Sequence, residues 1–460
     1  MPGWLKQGVL GGAVFLLCWG GAIACWRMSG RAPGVTEMLL CLLALPAVLL
    51  LLAWGGNKAM TSSRAVPAAT SRVQPEPAST AAPPAPPVTI LAAALRAPHG
   101  ATVDELAEAI AANRARADLD RELVDEDGFP VMTARSADAS DDMLQDEVIE
   151  WLSRNGMEEL RFSEEQWRAL TLASAVTADL AMRAAGELPG LKNSPPMLQL
   201  LPVLPADWPI DQRRAASMWL RHTAAQCGWP FERISVPVDA LAIGTDAAPA
   251  ALLKRFAIDA ADSVTPALAL IVACASHIGQ QTADEWAARG SLFTSAQPQG
   301  LIPGEGAVGL LLADLRQAEA TESIAYVLLD RIEEVQRDAE SDDVRRVDTA
   351  LLGELVERVC KHAAMPLPNV AMIVADAGHR RNPVAELMGF ASAAMPQLDA
   401  SEDIVCVGLS SGTCAAVPFL TSLALARHYV LEREAPVLCV SNESAYRRCV
   451  GLVRPVVSIS

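Results

Sequence analysis

The chain is 460 residues long, 51% hydrophobic, and carries a formal net charge of −17. Residues 1–88 hold six Lys/Arg against two Asp/Glu, so the remainder is near −21; a body that acidic repels phosphate backbones and excludes nucleic acid as a partner. Ten cysteines occur with no CxxC pair or regular spacing, which points to free thiols and to neither a metal site nor a disulfide framework, and no motif calls for a cofactor.

Two apolar runs, residues 9–25 and 38–54, are each about long enough to cross a bilayer. Trp4, Trp19, Trp26 and Trp54 sit near their ends, where amphipathic rings favour the interface. A second run so soon after the first argues against a cleaved signal peptide, so residues 1–60 read as a transmembrane helical hairpin. Lys6, Lys58, Arg64 and Arg72 lie outside it, against Arg27 and Arg31 in its loop. That excess places both ends, and the large domain, in the cytoplasm of a two-pass inner-membrane protein. Residues 61–88, rich in Pro, Ala, Ser and Thr, read as an extended linker.

The body, residues 89–460, opens on a buried-strand pattern at 88–95. Thr102 with Glu105 and Ser163 with Gln166 form capping boxes, the second opening a long Ala-rich helix to about 187. Strands are expected at 197–204, 234–243, 267–273, 308–312, 324–332, 370–375, 404–408 and 437–441. Helices are expected at 211–227, 248–261, 351–364, 383–394 and 414–430. The acidic stretch 333–348 reads as a solvated face. Strands alternating with helices predict an α/β layered architecture, with largely parallel sheets sandwiching helices.

One stretch organises the rest: Ile302-Pro-Gly-Glu-Gly-Ala-Val-Gly-Leu-Leu-Leu-Ala-Asp314, a glycine turn feeding a fully buried strand. Together with the opening strand, Asp127-Gly-Phe-Pro-Val131, the Ala-rich helix, Ser410-Ser-Gly-Thr-Cys-Ala-Ala-Val417 and Val437-Leu-Cys-Val-Ser-Asn442, it resembles the thiolase-like superfamily of ketosynthases. The resemblance implies a cysteine thiolate at a helix N-terminus and two histidines. The cysteine position falls on or near Ala248, the first histidine on Ala375 or Asp376, and the second on Thr413. The expected enzyme is therefore catalytically degenerate. The closing glycine loop is replaced by Glu443-Ser-Ala-Tyr-Arg-Arg448.

His379, in a loop after a strand, is a substitute catalyst only if a nucleophile stands nearby. Cys274 reads as a buried structural cysteine, and Cys414, at a helix start, lacks a histidine at motif distance. Arg380, Arg381, Arg447 and Arg448 form the candidate binding rim, each pair weighed against ordinary solvated charge.

The hairpin, the linker, residues 117–131 and the Gln299-Gly-Leu-Ile-Pro-Gly-Glu-Gly306 turn resemble a narrower bacterial family. Its members are adaptors that load a phospholipase toxin onto the type VI secretion spike. That resemblance implies a non-catalytic membrane protein whose partners are a lipase effector and the spike protein. A homodimer is compatible with the broader superfamily. The alternatives are a divergent acyl-transfer or condensing enzyme with a relocated nucleophile, and a structural component of an envelope complex.

Overall fold

A computed structural model describes residues 87–187, 196–237, 248–321, 325–337 and 347–456. The expected hairpin and nearly all of the linker lie outside them. Among the described residues no helix is long and apolar enough to cross a membrane.

The body is built from two repeats. The first comprises β1 (Val88–Arg96), α1 (Val103–Ala111), β2 (Asp118–Val124), β3 (Pro130–Thr133), α2 (Asp142–Arg154), α3 (Glu164–Glu187) and β4 (Leu198–Val203). It continues through α4 (Ile210–Gln226), β5 (Ile234–Ser235), α5 (Ala248–Asp262), β6 (Leu268–Ser276), α6 (Gln280–Ala288) and β7 (Glu305–Ala313). After α7 (Leu315–Glu319), the second comprises β8 (Val327–Leu329), β9 (Glu333–Gln336), α8 (Ala350–His362), β10 (Met372–Ala375), α9 (Arg381–Ala394) and β11 (Ile404–Cys406). It ends with α10 (Gly408–Ser411), α11 (Val417–Arg433), β12 (Val437–Ser441) and β13 (Arg447–Arg454).

Set aside the β2–β3 hairpin and β9, and the two repeats share one topology. Their strands lie in the orders β5-β4-β6-β7-β1 and β11-β10-β12-β13-β8, each the third, second, fourth, fifth and first of its repeat. The pairing senses also match. In both, the outer three strands are parallel and the last two antiparallel. The repeats meet where Ile90 faces Val327 and Val88 faces Leu329. Parallel pairs thus stand where helices return the chain, as the alternation leads one to expect. The short connection 442–446 can only reverse it.

Three cores separate the layers. One joins β1, β4, β6 and β7 to α2, α3 and α4. A second joins β10, β12 and β13 to α8 and α9. The largest lies between the two half-sheets, where Phe256 of α5 and Leu420, Leu423 and Tyr429 of α11 fill the space. Helices α5 and α11 are therefore sandwiched, and α11 is apolar nearly all round for that reason.

Both capping boxes form: Thr102 Oγ1 accepts from Glu105 N at 3.2 Å, and Ser163 and Gln166 bond reciprocally. Three expectations change. Residues 333–336 of the acidic stretch are not merely a solvated face but strand β9, paired antiparallel with β13. Arg447-to-Arg454 is a core strand that the alternation of the preceding segments does not announce. Of the strand expected at 234–243, residues 234–237 are described, and of these Ile234–Ser235 are strand.

Candidate functional site

Strands β10 and β12 are parallel neighbours, so their carboxyl ends open at one edge of the sheet, where α/β folds place ligand sites. There the turns after Ala375 and Ser441 meet the segment joining α10 to α11. Together they enclose a cavity of about 260 Å³. Asp376, His379, Arg380, Thr413, Cys414, Ser441, Glu443 and Arg447 contribute its polar lining, and Pro418 and Phe419 part of its apolar wall.

Asp376 is the best-held group. One carboxylate oxygen accepts from the backbone N–H of Asn442 at 2.8 Å and of Glu443 at 3.1 Å. The other accepts the Ser441 hydroxyl proton. These bonds favour the anion, yet burial outweighs them, and with the Glu443 charge it pushes the Asp376 carboxyl up to about 6.

Glu443 closes the other side. Its carboxylate accepts from Gly378 N at 2.9 Å and from Arg380 Nε at 2.7 Å, and Arg380 also donates to the Glu443 carbonyl. The close approach requires glycine at 408, where a Cβ would lie 2.6 Å from the Asp376 carbonyl oxygen. His379 packs edge-on against Phe293 with ring centroids 5.1 Å apart. Burial lowers its pKa, and the Arg380 charge acts in the same direction.

Acyl transfer requires an activated nucleophile. The lining thiol, Cys414, is buried, points at the Ala275 carbonyl 3.5 Å away, and is pushed well above the usual thiol range by burial. Cys274, at the end of β6, is raised to about 12 by burial. Its expected structural role agrees with that placement.

The fold thus brings Asp376, Thr413, His379, Cys414, Arg380 and Arg447 to one cavity. Ala248 begins α5. The four arginines do not form one rim. Arg381 is exposed, and its backbone N–H donates to Gln299 Oε1 at 2.7 Å. Arg447 pairs with Glu334 of β9 at 3.4 Å. Arg448 corrects the expectation of a surface cation. It is 1% exposed, and its Nε lies 2.9 and 2.8 Å from the carboxylate oxygens of buried Glu386. Alternation along β13 turns Arg448 inward, and that strand was not legible.

Sequence reasoning also missed Arg168. Its guanidinium reaches Glu305, and Glu305 further accepts from Ser136 N at 2.7 Å and Ser276 Oγ at 2.9 Å. The signal was present: an acid opening an apolar strand must find a cation or lose its charge.

The duplicated topology and the two sandwiched helices define a thiolase-like fold of the ketosynthase type. No protein-family model matches the sequence, and no curated protein does. Solved structures do. A ketosynthase from module 6 of the bacillaene synthase of Bacillus subtilis 168 superposes with a TM-score of 0.54 at 11% identity, covering 81% of this chain and 72% of its own. An oxazolomycin ketosynthase domain of Streptomyces albus gives 0.55 at 10%, covering 82% and 75%. A type II polyketide ketosynthase, in complex with its acyl-carrier protein, gives 0.56 at 13%, covering 81% and 100%. At such identities the likeness is one of fold.

Proposed function

We propose that this chain is a non-catalytic, membrane-tethered adaptor that binds a phospholipase effector and helps load it onto the type VI secretion spike. One observation supports a binding role over a condensing one. At the carboxyl ends of β10 and β12 the described lining offers Asp376 and Thr413, and its thiol, Cys414, is disabled by burial. The choice of client rests on the sequence resemblance of the hairpin, the linker and residues 117–131 and 299–306. On this reading the hairpin anchors the body at the bacterial inner membrane, cytoplasmic side, with no cofactor.

The test is affinity purification of the tagged, detergent-solubilised chain from its own host, followed by mass spectrometry. A lipase-like effector or a spike component recovered in stoichiometric amount supports the adaptor. An acyl adduct on a cysteine, or acyl-carrier protein as the dominant partner, overturns it in favour of a divergent condensing enzyme. Envelope proteins alone point to a structural component.

A further inference from the structure

The β2–β3 hairpin forms its own small sheet and presents two unlike faces. Side chains alternate along β3, so Val131 and Thr133 point inward while Pro130 and Met132 point outward. Val131 packs with Leu123 against Ile278 and Leu292, with Trp286 of α6 beside them. Thr133 Oγ1 donates to Asp120 at 2.7 Å, and Arg135 Nε donates to the same carboxylate at 2.8 Å. The outward face is apolar but uncovered. Leu119 stands opposite Met132 and is 59% exposed. Pro130 is exposed, and Phe129, next to it in the turn, is 66% exposed. Among the described residues Phe129 is the most exposed aromatic ring. The other exposed phenylalanine, Phe231, carries the Arg221 guanidinium 3.8 Å from its ring centre.

The turn holds Phe129 in place. Asp125 Oδ1 accepts from Asp127 N at 3.0 Å and from Phe129 N at 2.8 Å. Asp125 N donates to Phe129 O at 2.9 Å, and Gly128 closes the turn with φ +81°. The Gln280 side chain donates to Val124 O at 2.7 Å and accepts from Val124 N at 3.3 Å, fastening the hairpin to the start of α6. The exposed side chains are therefore ordered before any partner arrives, which lowers the entropic cost of binding.

The charge at the tip specifies the partner's chemistry. Asp120 and Glu122 of β2 are matched by Arg135, but among the described residues no ion pair engages Asp125, Glu126 or Asp127. Such a tip repels a second copy of this acidic chain and an anionic lipid surface, and attracts cations around an apolar pocket. Aromatic anchors carry most of the energy of protein interfaces, and charges beside them steer the encounter.

We propose that the outward face of the β2–β3 hairpin docks a partner protein, with Phe129 seated in an apolar pocket whose rim carries Lys or Arg opposite Glu126 and Asp127. The pair Leu119 and Met132, about 10 Å along β3 from Phe129, extends the contact. The inference deepens the adaptor reading and rests on it for the identity of the partner.

The test titrates the full-length chain in detergent against the lipase effector or spike component that it recovers from its host. Phe129→Ser should weaken that complex about thirtyfold, as the loss of an interface anchor does. Glu126→Lys/Asp127→Lys should weaken it about tenfold in low salt and less in high salt. Both variants change exposed side chains, and unaltered thermal melting checks that the hairpin still forms. The photoreactive p-benzoylphenylalanine in place of Phe129 should cross-link to the same partner, at a peptide containing Lys or Arg. Should a variant melt early, the cross-link decides by itself. Undiminished binding by either folded variant, or cross-linking only to lipid or to a second copy of the chain, overturns the inference and leaves the adaptor reading standing. Recovery of neither a lipase effector nor a spike component overturns the adaptor reading, and the inference with it.

Discussion

The guanidinium of Arg168 meets the carboxylate of Glu305 with both partners buried, Nε to Oε2 at 2.8 Å and Nη2 to Oε1 at 2.6 Å. The pair ties α3 to the start of β7. Because Thr413 N donates to Ile302 O at 2.8 Å just before that strand, it also braces one wall of the cavity. Removing the cation leaves an uncompensated charge in a dry site. Arg168→Met should therefore lower the unfolding free energy by about 3–5 kcal/mol. The double variant Arg168→Met/Glu305→Gln should lose less than the sum of the singles. Urea titration of all three checks this, and simple additivity would show the two groups to be uncoupled.

Asp376 gives the body a pH dependence of defined sign. Its folded pKa of about 6 stands above the ordinary value of 3.8. The folded state therefore binds the extra proton between those values, and stability from this group falls as pH rises through the window. Asp376→Asn keeps an acceptor for the Asn442 and Glu443 N–H groups and removes the charge. It should equal the parent near pH 4 and exceed it by on the order of 3 kcal/mol at pH 7. Melting curves of the two proteins from pH 4 to 8 supply the comparison. A gap that does not widen with pH would mean that Asp376 titrates normally.

Gly304 marks the tightest backbone crossing near the site. A Cβ there would lie 1.9 Å from the Ser411 carbonyl oxygen, an obstacle that cannot rotate away. Gly304→Ala should cost about 3 kcal/mol or more, in the upper range for overpacking. Gly353→Ala meets nothing within 4 Å and sits inside α8, where alanine is the better helix former. It should stabilise slightly, and serves as the control in the same chemical-denaturation series.

The buried thiols should resist alkylation. Cys274, Cys414, Cys439 and Cys449 are all within the core, and burial raises each. Cys227 is half-buried, so reagent reaches it in the folded protein, although burial and the Asp179 charge raise its thiol. With iodoacetamide at pH 8, peptide mapping should show Cys227 modified first and the four core thiols only after unfolding. Rapid native modification of Cys414 would restore the candidate nucleophile.

Arg380 and Glu443 hold the turn after β10 against the turn after β12. Glu443→Gln weakens the Arg380 contact and removes the charge that helps raise Asp376. The Asp376 titration should then move toward lower pH, visible by carboxyl-resolved NMR of the variant. An unchanged midpoint would assign the shift to burial alone.

Much of the fold was legible because its signals are local. The buried strand after Gly306, the capped helix after Ser163 and the alternation from residue 350 to 441 all announce themselves within a dozen residues. The positions of Asp376 and Thr413 at one cavity were also readable, through the resemblance of the surrounding segments. The β2–β3 hairpin, α2 and β13 were not. Their polar or charged residues, as in Arg447-Arg448, imitate surface until a partner is placed beside them.

The sequence by itself determined the periodicities, the caps and the acidic balance of the body, since each depends on neighbours along the chain. Only the tertiary structure decided which charges are inside. Glu305 and Arg168 are 137 positions apart, and Arg448 and Glu386 are 62, so no local pattern connects them. The worth of a charge or of an unpaired amide is set by the dielectric and the partners around it, and those are supplied by distant parts of the chain.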